Sequence, residues 1–108
     1  MLPAESAAST AHSAAHDQIA TELERVVRRW QQLPLGHALS VFPLVHRLGQ
    51  NLADEVATAT GMPITAVPEL GPAVVMDQLR VMVFDYLSVG LDPESLADRL
   101  TELRRALP

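Results

Sequence analysis

The chain has no cysteine and no lysine, and only four aromatic side chains: Trp30, Phe42, Phe84 and Tyr86. Without cysteine there are no disulfides, thiolate nucleophiles, iron–sulfur clusters or Cys-type zinc sites. Without lysine there is no Schiff-base residue and no P-loop lysine. No apolar run approaches the roughly 20 residues that span a bilayer. Met1 to Glu5 lack the basic start and apolar stretch of a signal peptide. Positive charge is also short: eight arginines stand against 13 acidic residues, for a net charge of −5. Nonspecific nucleic-acid binding rewards clustered positive charge, so this balance argues against it. These absences lead us to expect a cytoplasmic protein with no cofactor, no metal, no membrane contact and no nucleic-acid partner.

What remains is aliphatic. Apolar residues make up 48% of the 108 positions, with 16 Leu, 15 Ala and 11 Val against two Ile. That balance favours helix over strand, and the length suits one domain. Residues 1–12 are Ala/Ser-rich and read as a flexible or helical N-terminal extension, with residues 13–108 as a single helical domain.

Four helices follow from spacing and punctuation. The first runs from about Ser13 to Leu33, where Ile19, Leu23, Val26, Trp30 and Leu33 recur at 4, 3, 4, 3 and Pro34 stops the helix. The second carries Val45, Leu48, Leu52 and Val56; Ser40 is its candidate cap, or else Pro43 kinks a helix begun at Leu35. Gly49 interrupts that stripe and suggests close approach of another helix. Gly61 and Pro63 end it. The third spans about Pro72 to Val89. The fourth starts at Asp92-Pro93-Glu94, with Leu96, Leu100, Leu103 and Leu107 as its stripe.

Residues 61–71 are different. Pro63 and Pro68 force their predecessors extended, and Ile64, Val67 and Leu70 recur every three residues, as on one edge of a polyproline-II segment. Such a segment reaches about 3.1 Å per residue, enough to cross a bundle and let the third helix run parallel to the second. The expected fold is an all-α compact four-helix bundle with one long extended crossover, residues 61–71, between helices 2 and 3.

The informative element is the third helix. At about 100° per residue, Val75, Met76, Leu79, Met82, Val83, Tyr86 and Leu87 share one broad face. Asp77, Gln78, Arg80, Asp85 and Ser88 lie opposite, with Val74, Val81 and Phe84 among them. A helix apolar nearly all round is buried on two sides, either at a bundle centre or at a partner interface. The leading expectation is a small non-catalytic interaction or regulatory module, homodimeric through residues 72–89 or bound to another protein. Its interface residues would be Val74, Asp77, Val81, Phe84, Asp85, Ile64 and Val67. The alternative is a small helical enzyme or binder that holds an anionic metabolite by Arg47 and Arg80, with Gln50 or Gln78 orienting it. A polar layer of Arg47 with Asp77, Arg80 and Asp85 is a further expectation.

Other signals are weak. His12 and His16 are four apart but have no third ligand at a standard offset. Arg25, Arg28 and Arg29 stand beside Glu22 and Glu24, as on a solvated, ion-paired face. No phosphate loop, nucleophile elbow or Glu-x-x-His pair is present.

Overall fold

The computed structural model describes residues 3–108, with side chains from Thr10 onward. It holds four helices and, among the described residues, no strand: α1 Pro3–Gln32, α2 Leu35–Thr60, α3 Val75–Ser88 and α4 Pro93–Ala106. α1 pairs with α4 and α2 with α3, and the long extended connection joins α2 to α3. No described helix is long and apolar enough to cross a membrane.

Three boundaries differ from the sequence reading, each for a local reason. α1 starts at Pro3 and not at Ser13, which lies inside the helix; Met1 and Leu2 fall outside the described residues. α2 starts at Leu35 and passes through Pro43. Ser40 is therefore no cap, and its hydroxyl donates to the His37 carbonyl at 2.7 Å. Pro43 costs little because it and Leu39, whose carbonyl loses its helical donor, both face solvent. α3 starts three residues later than Pro72. Gly71, at φ +90°, turns the chain there, and its carbonyl accepts from Val74 and Val75. The Pro72 carbonyl meanwhile accepts from the Trp30 indole N–H at 2.9 Å. The α4 start agrees with expectation: the Asp92 side chain accepts from Glu94 N–H at 3.1 Å, and Pro93 occupies the first turn.

Side-chain pairs define the topology. Gln18 meets Thr101, Glu22 meets Arg104 and Arg29 meets Pro108, so α1 and α4 run the same way. Glu55 meets Arg99, while Leu44 and Leu48 line one groove with Leu103 and Ala106, so α2 opposes α4. The start of α3 lies beside Val45 and Gly49, and its Tyr86 reaches Arg99 and hence Glu55. α3 is thus parallel to α2. The bundle is up, down, down, up, and its single long connection is the crossover.

Gly61 begins that crossover as a left-handed cap at φ +70°, and Met62 N–H donates back to the Ala57 carbonyl at 2.8 Å. The segment then runs back along α2. Gln50 grips it from both sides: its Oε1 accepts from Val67 N–H at 2.7 Å and its Nε2 donates to the Thr65 carbonyl at 3.0 Å. His46 Nε2 bonds the Val67 carbonyl at 2.9 Å, and Gln78 Nε2 donates to the Pro68 carbonyl at 2.9 Å. An extended segment has no internal backbone partners, so these side chains supply what a ladder would. Beneath it lies one core, with Val26, Val45, Leu52, Leu96 and Leu100 fully buried.

Gly49 corrects another expectation. It is buried, yet a Cβ placed there meets nothing within 4 Å, and a small void lies between it, Val67 and Leu79. No close helix approach requires glycine at this point. Gly49→Ala should stabilise the fold by about 0.5–1 kcal/mol through helix propensity, read as a higher urea midpoint at unchanged slope. A lower midpoint would show that the void cannot take the methyl group.

Candidate functional site

The structure divides α3 as its projection implies. Val75, Met76, Leu79, Val83 and Tyr86 are buried, and Met82 and Leu87 pack partly against the core. On the other side Phe84 is 70% exposed and Val81 53% exposed, beside exposed Asp77, Arg80 and Ser88 and half-buried Val74 and Asp85. Fully burying one Phe or Val side chain is worth about 1.5–3 kcal/mol, so each leaves a substantial part of that free energy unrealised. Ile64, on the crossover, is 64% exposed. It stands three residues before Val67, about 9 Å along an extended chain. That places it towards the level of Asp85, about two turns beyond Gln78, which holds the Pro68 carbonyl.

Val67 does not belong to this surface. It is 8% exposed and turns inward between α2 and α3, because its N–H and C=O are held by Gln50 and His46. The expected every-third-residue apolar edge is split: Val67 faces the core, while Ile64 and Leu70 face out.

The four residues of the anion-binding alternative do not converge. Gln50 and Gln78 hold the crossover backbone, and Arg80 stands exposed on α3. Arg47 lines a groove of about 330 Å³ between α2 and α4, with Leu44, Leu48, Arg99 and Leu103. The polar layer expected between Arg47 and Asp77, Arg80 and Asp85 is not formed. Among the described residues, Asp77, Arg80 and Asp85 enter no ion pair at all.

The inter-helix ion pairs lie elsewhere, between residues that the sequence reading did not pair. Arg99 donates twice to Glu55, at 2.5 and 3.1 Å, and once to the Tyr86 hydroxyl at 3.1 Å. Its guanidinium lies 5.3 Å from the centre of the Tyr86 ring. The Tyr86 hydroxyl in turn donates to the Asp92 carbonyl at 2.8 Å. Hydrogen bonding to the Glu55 carboxylate raises the Arg99 pKa above its ordinary value, against the opposing effect of burial. A raised pKa adds stability that is fully present below the ordinary value and is lost only as pH rises through the folded one. That loss lies far above neutrality, so this cation is a fixed fastener and not a switch. The one available signal was position: Arg99 flanks the Leu96, Leu100, Leu103 stripe.

The basic residues of α1 also have a structural explanation. Arg25, Arg28, Arg29, Arg104 and Arg105 line a groove of about 430 Å³ where α1 and α4 end side by side. Glu22 takes Arg25 and Arg104, Glu24 takes Arg28, and the Pro108 carbonyl takes Arg29. Two parallel helices present two negative ends there, which these cations offset. His12 lies 3.9 Å from Glu94, and among the described residues no three His, Asp or Glu side chains gather as a metal site.

At concentrations where the chain is monomeric, Phe84→Ala and Val81→Ala should change unfolding free energy by no more than about 0.5 kcal/mol. Leu79→Ala, on the buried side of the same helix, should cost about 2–5 kcal/mol. Denaturant titration of the three variants checks the division of faces. Compared with known proteins, the chain matches no family model, no curated protein and no solved structure.

Proposed function

We propose that this protein is a small non-catalytic interaction module that pairs with a second copy of itself through the outer face of α3, extended by Ile64 of the crossover. One observation carries this reading: Phe84 and Val81 stand exposed side by side on a helix whose opposite side is core. Apolar anchors ringed by unpaired charges are the make-up of an interface and not of a solvated face. Asp77, Arg80 and Asp85 supply such charges, and each is without an ion-pair partner among the described residues.

Size sets the strength to expect. A stable interface covers about 800 Å² per partner. α3 has 14 residues and offers a strip about 21 Å long, so Ile64 must join it and the association is of the weaker, reversible kind. Light scattering coupled to size exclusion should find a mass rising with concentration towards twice the 11.7 kDa of one chain. Phe84→Asp and Val81→Asp should hold the protein at one chain mass with an unchanged circular-dichroism spectrum, since both positions are exposed. A wild-type mass that stays at one chain, or that ignores both substitutions, would overturn the reading.

A second reading keeps part of the anion-binding alternative. The α2–α4 groove has an apolar lining from Leu44, Leu48 and Leu103, with Arg47 and Arg99 beside it. Arg99 is committed to Glu55, which leaves Arg47 to meet a small carboxylate or phosphate. In this reading a thermal-shift screen of such anions finds a ligand that, at 100 times its dissociation constant, adds about 2.7 kcal/mol. The shift vanishes in Arg47→Ala, and a flat screen removes the reading.

A further inference from the structure

Resting on the self-association proposed above, we infer that the two copies of α3 pair in parallel, in register, with Arg80 of each chain facing Asp85 of the other. The outer face carries Val74, Asp77, Val81, Phe84 and Ser88, spaced 3, 4, 3, 4. That is the spacing of the seam of a two-stranded coiled coil, where two positions of every seven face the partner helix. Arg80 comes immediately before the seam residue Val81, and Asp85 immediately after the seam residue Phe84. They are therefore flanking positions of two successive seven-residue repeats, one on each side of the seam. Five residues apart, they are also the pair that meets across a parallel seam, once on each side of the twofold axis. Both side chains are free of ion pairs among the described residues.

The opposite orientation wastes these charges. An antiparallel seam places each flank beside its own kind. Arg80 would then find only Ala73, Leu87 or another Arg80, with no acid among them. Asp85 would find Gln78, whose amide nitrogen is already held by the Pro68 carbonyl. The parallel arrangement does bring Asp77 opposite its own copy. Asp77 lies in the first turn of α3, where two adjacent helix N-termini offset the like charge. The crossover lies on the Gln78 side of α3, so each chain's Ile64 flanks the Arg80 and Phe84 side of the other.

The absence of cysteine makes the orientation directly readable. Ser88→Cys, at the exposed last position of α3, should form a disulfide-linked dimer under mild oxidation. Its rate should be about tenfold or more that of Ala20→Cys, an exposed position on α1 that reports random collision. Mixing Asp77→Cys with Ser88→Cys should give no excess of the mixed disulfide. Separately, Arg80→Glu and Asp85→Arg should each weaken self-association about tenfold, and an equimolar mixture of the two should restore it as a heterodimer, because both cross-seam pairs then join opposite charges. A mixed Asp77→Cys/Ser88→Cys disulfide, or charge variants that do not rescue each other, overturns the parallel register while leaving self-association in place. A wild-type chain that stays at one chain mass, with Ser88→Cys no faster than Ala20→Cys, overturns self-association itself.

Discussion

The architecture depends on how an extended backbone is held against two helices. Residues 61–71 cannot bond to themselves, and only Val67 among them is buried, so the segment is fixed where side chains take hold of its backbone. Gln50 satisfies a donor and an acceptor on opposite sides of Ala66, and His46 and Gln78 take the carbonyls of Val67 and Pro68. With the segment fastened along α2, the chain must enter α3 at the far end and run parallel to it. Every later feature follows: Tyr86 arrives at the Asp92 turn, Arg99 arrives at Glu55, and the outer face of α3 is turned away from the rest of the molecule.

Charge is allotted between structure and surface in a consistent way. Glu55–Arg99, bonded twice, and Glu22–Arg104, whose carboxylate is buried, join helices and so specify which helices meet. Exposed pairs such as Glu24–Arg28 lie within one helix and are worth only tenths of a kcal/mol. The outer charges of α3 do neither of these things. That contrast, together with exposed Phe84 and Val81, separates this face from the arginine groove, where acids and helix ends already account for the positive charge.

Much of the fold was legible because helix signals are local. The Ile19–Leu23–Val26–Trp30 stripe, the Asp92-Pro93-Glu94 start and the Gly61 cap each act within a few residues, so composition and spacing reveal them. The boundaries that moved were decided at a distance. Trp30 takes the Pro72 carbonyl 42 residues away, and solvent at Leu39 and Pro43 lets α2 run straight through a proline. Gln50 and Gln78 show the same limit at the candidate site. An amide on a helix face reads equally well as a ligand contact or a backbone clamp until the segment beside it is known.

The sequence by itself determined that the chain is helical, where its helices sit, and that α3 is apolar on two sides, because periodicity and capping depend on neighbours three and four residues apart. Only the tertiary structure decided that the outer side of α3 is left uncovered by the rest of the chain, that Val67 turns inward while Ile64 stays out, and that Arg47 and Arg80 belong to different surfaces. Those outcomes depend on contacts between residues far apart in the chain, and no local pattern encodes which of several amphipathic faces will meet.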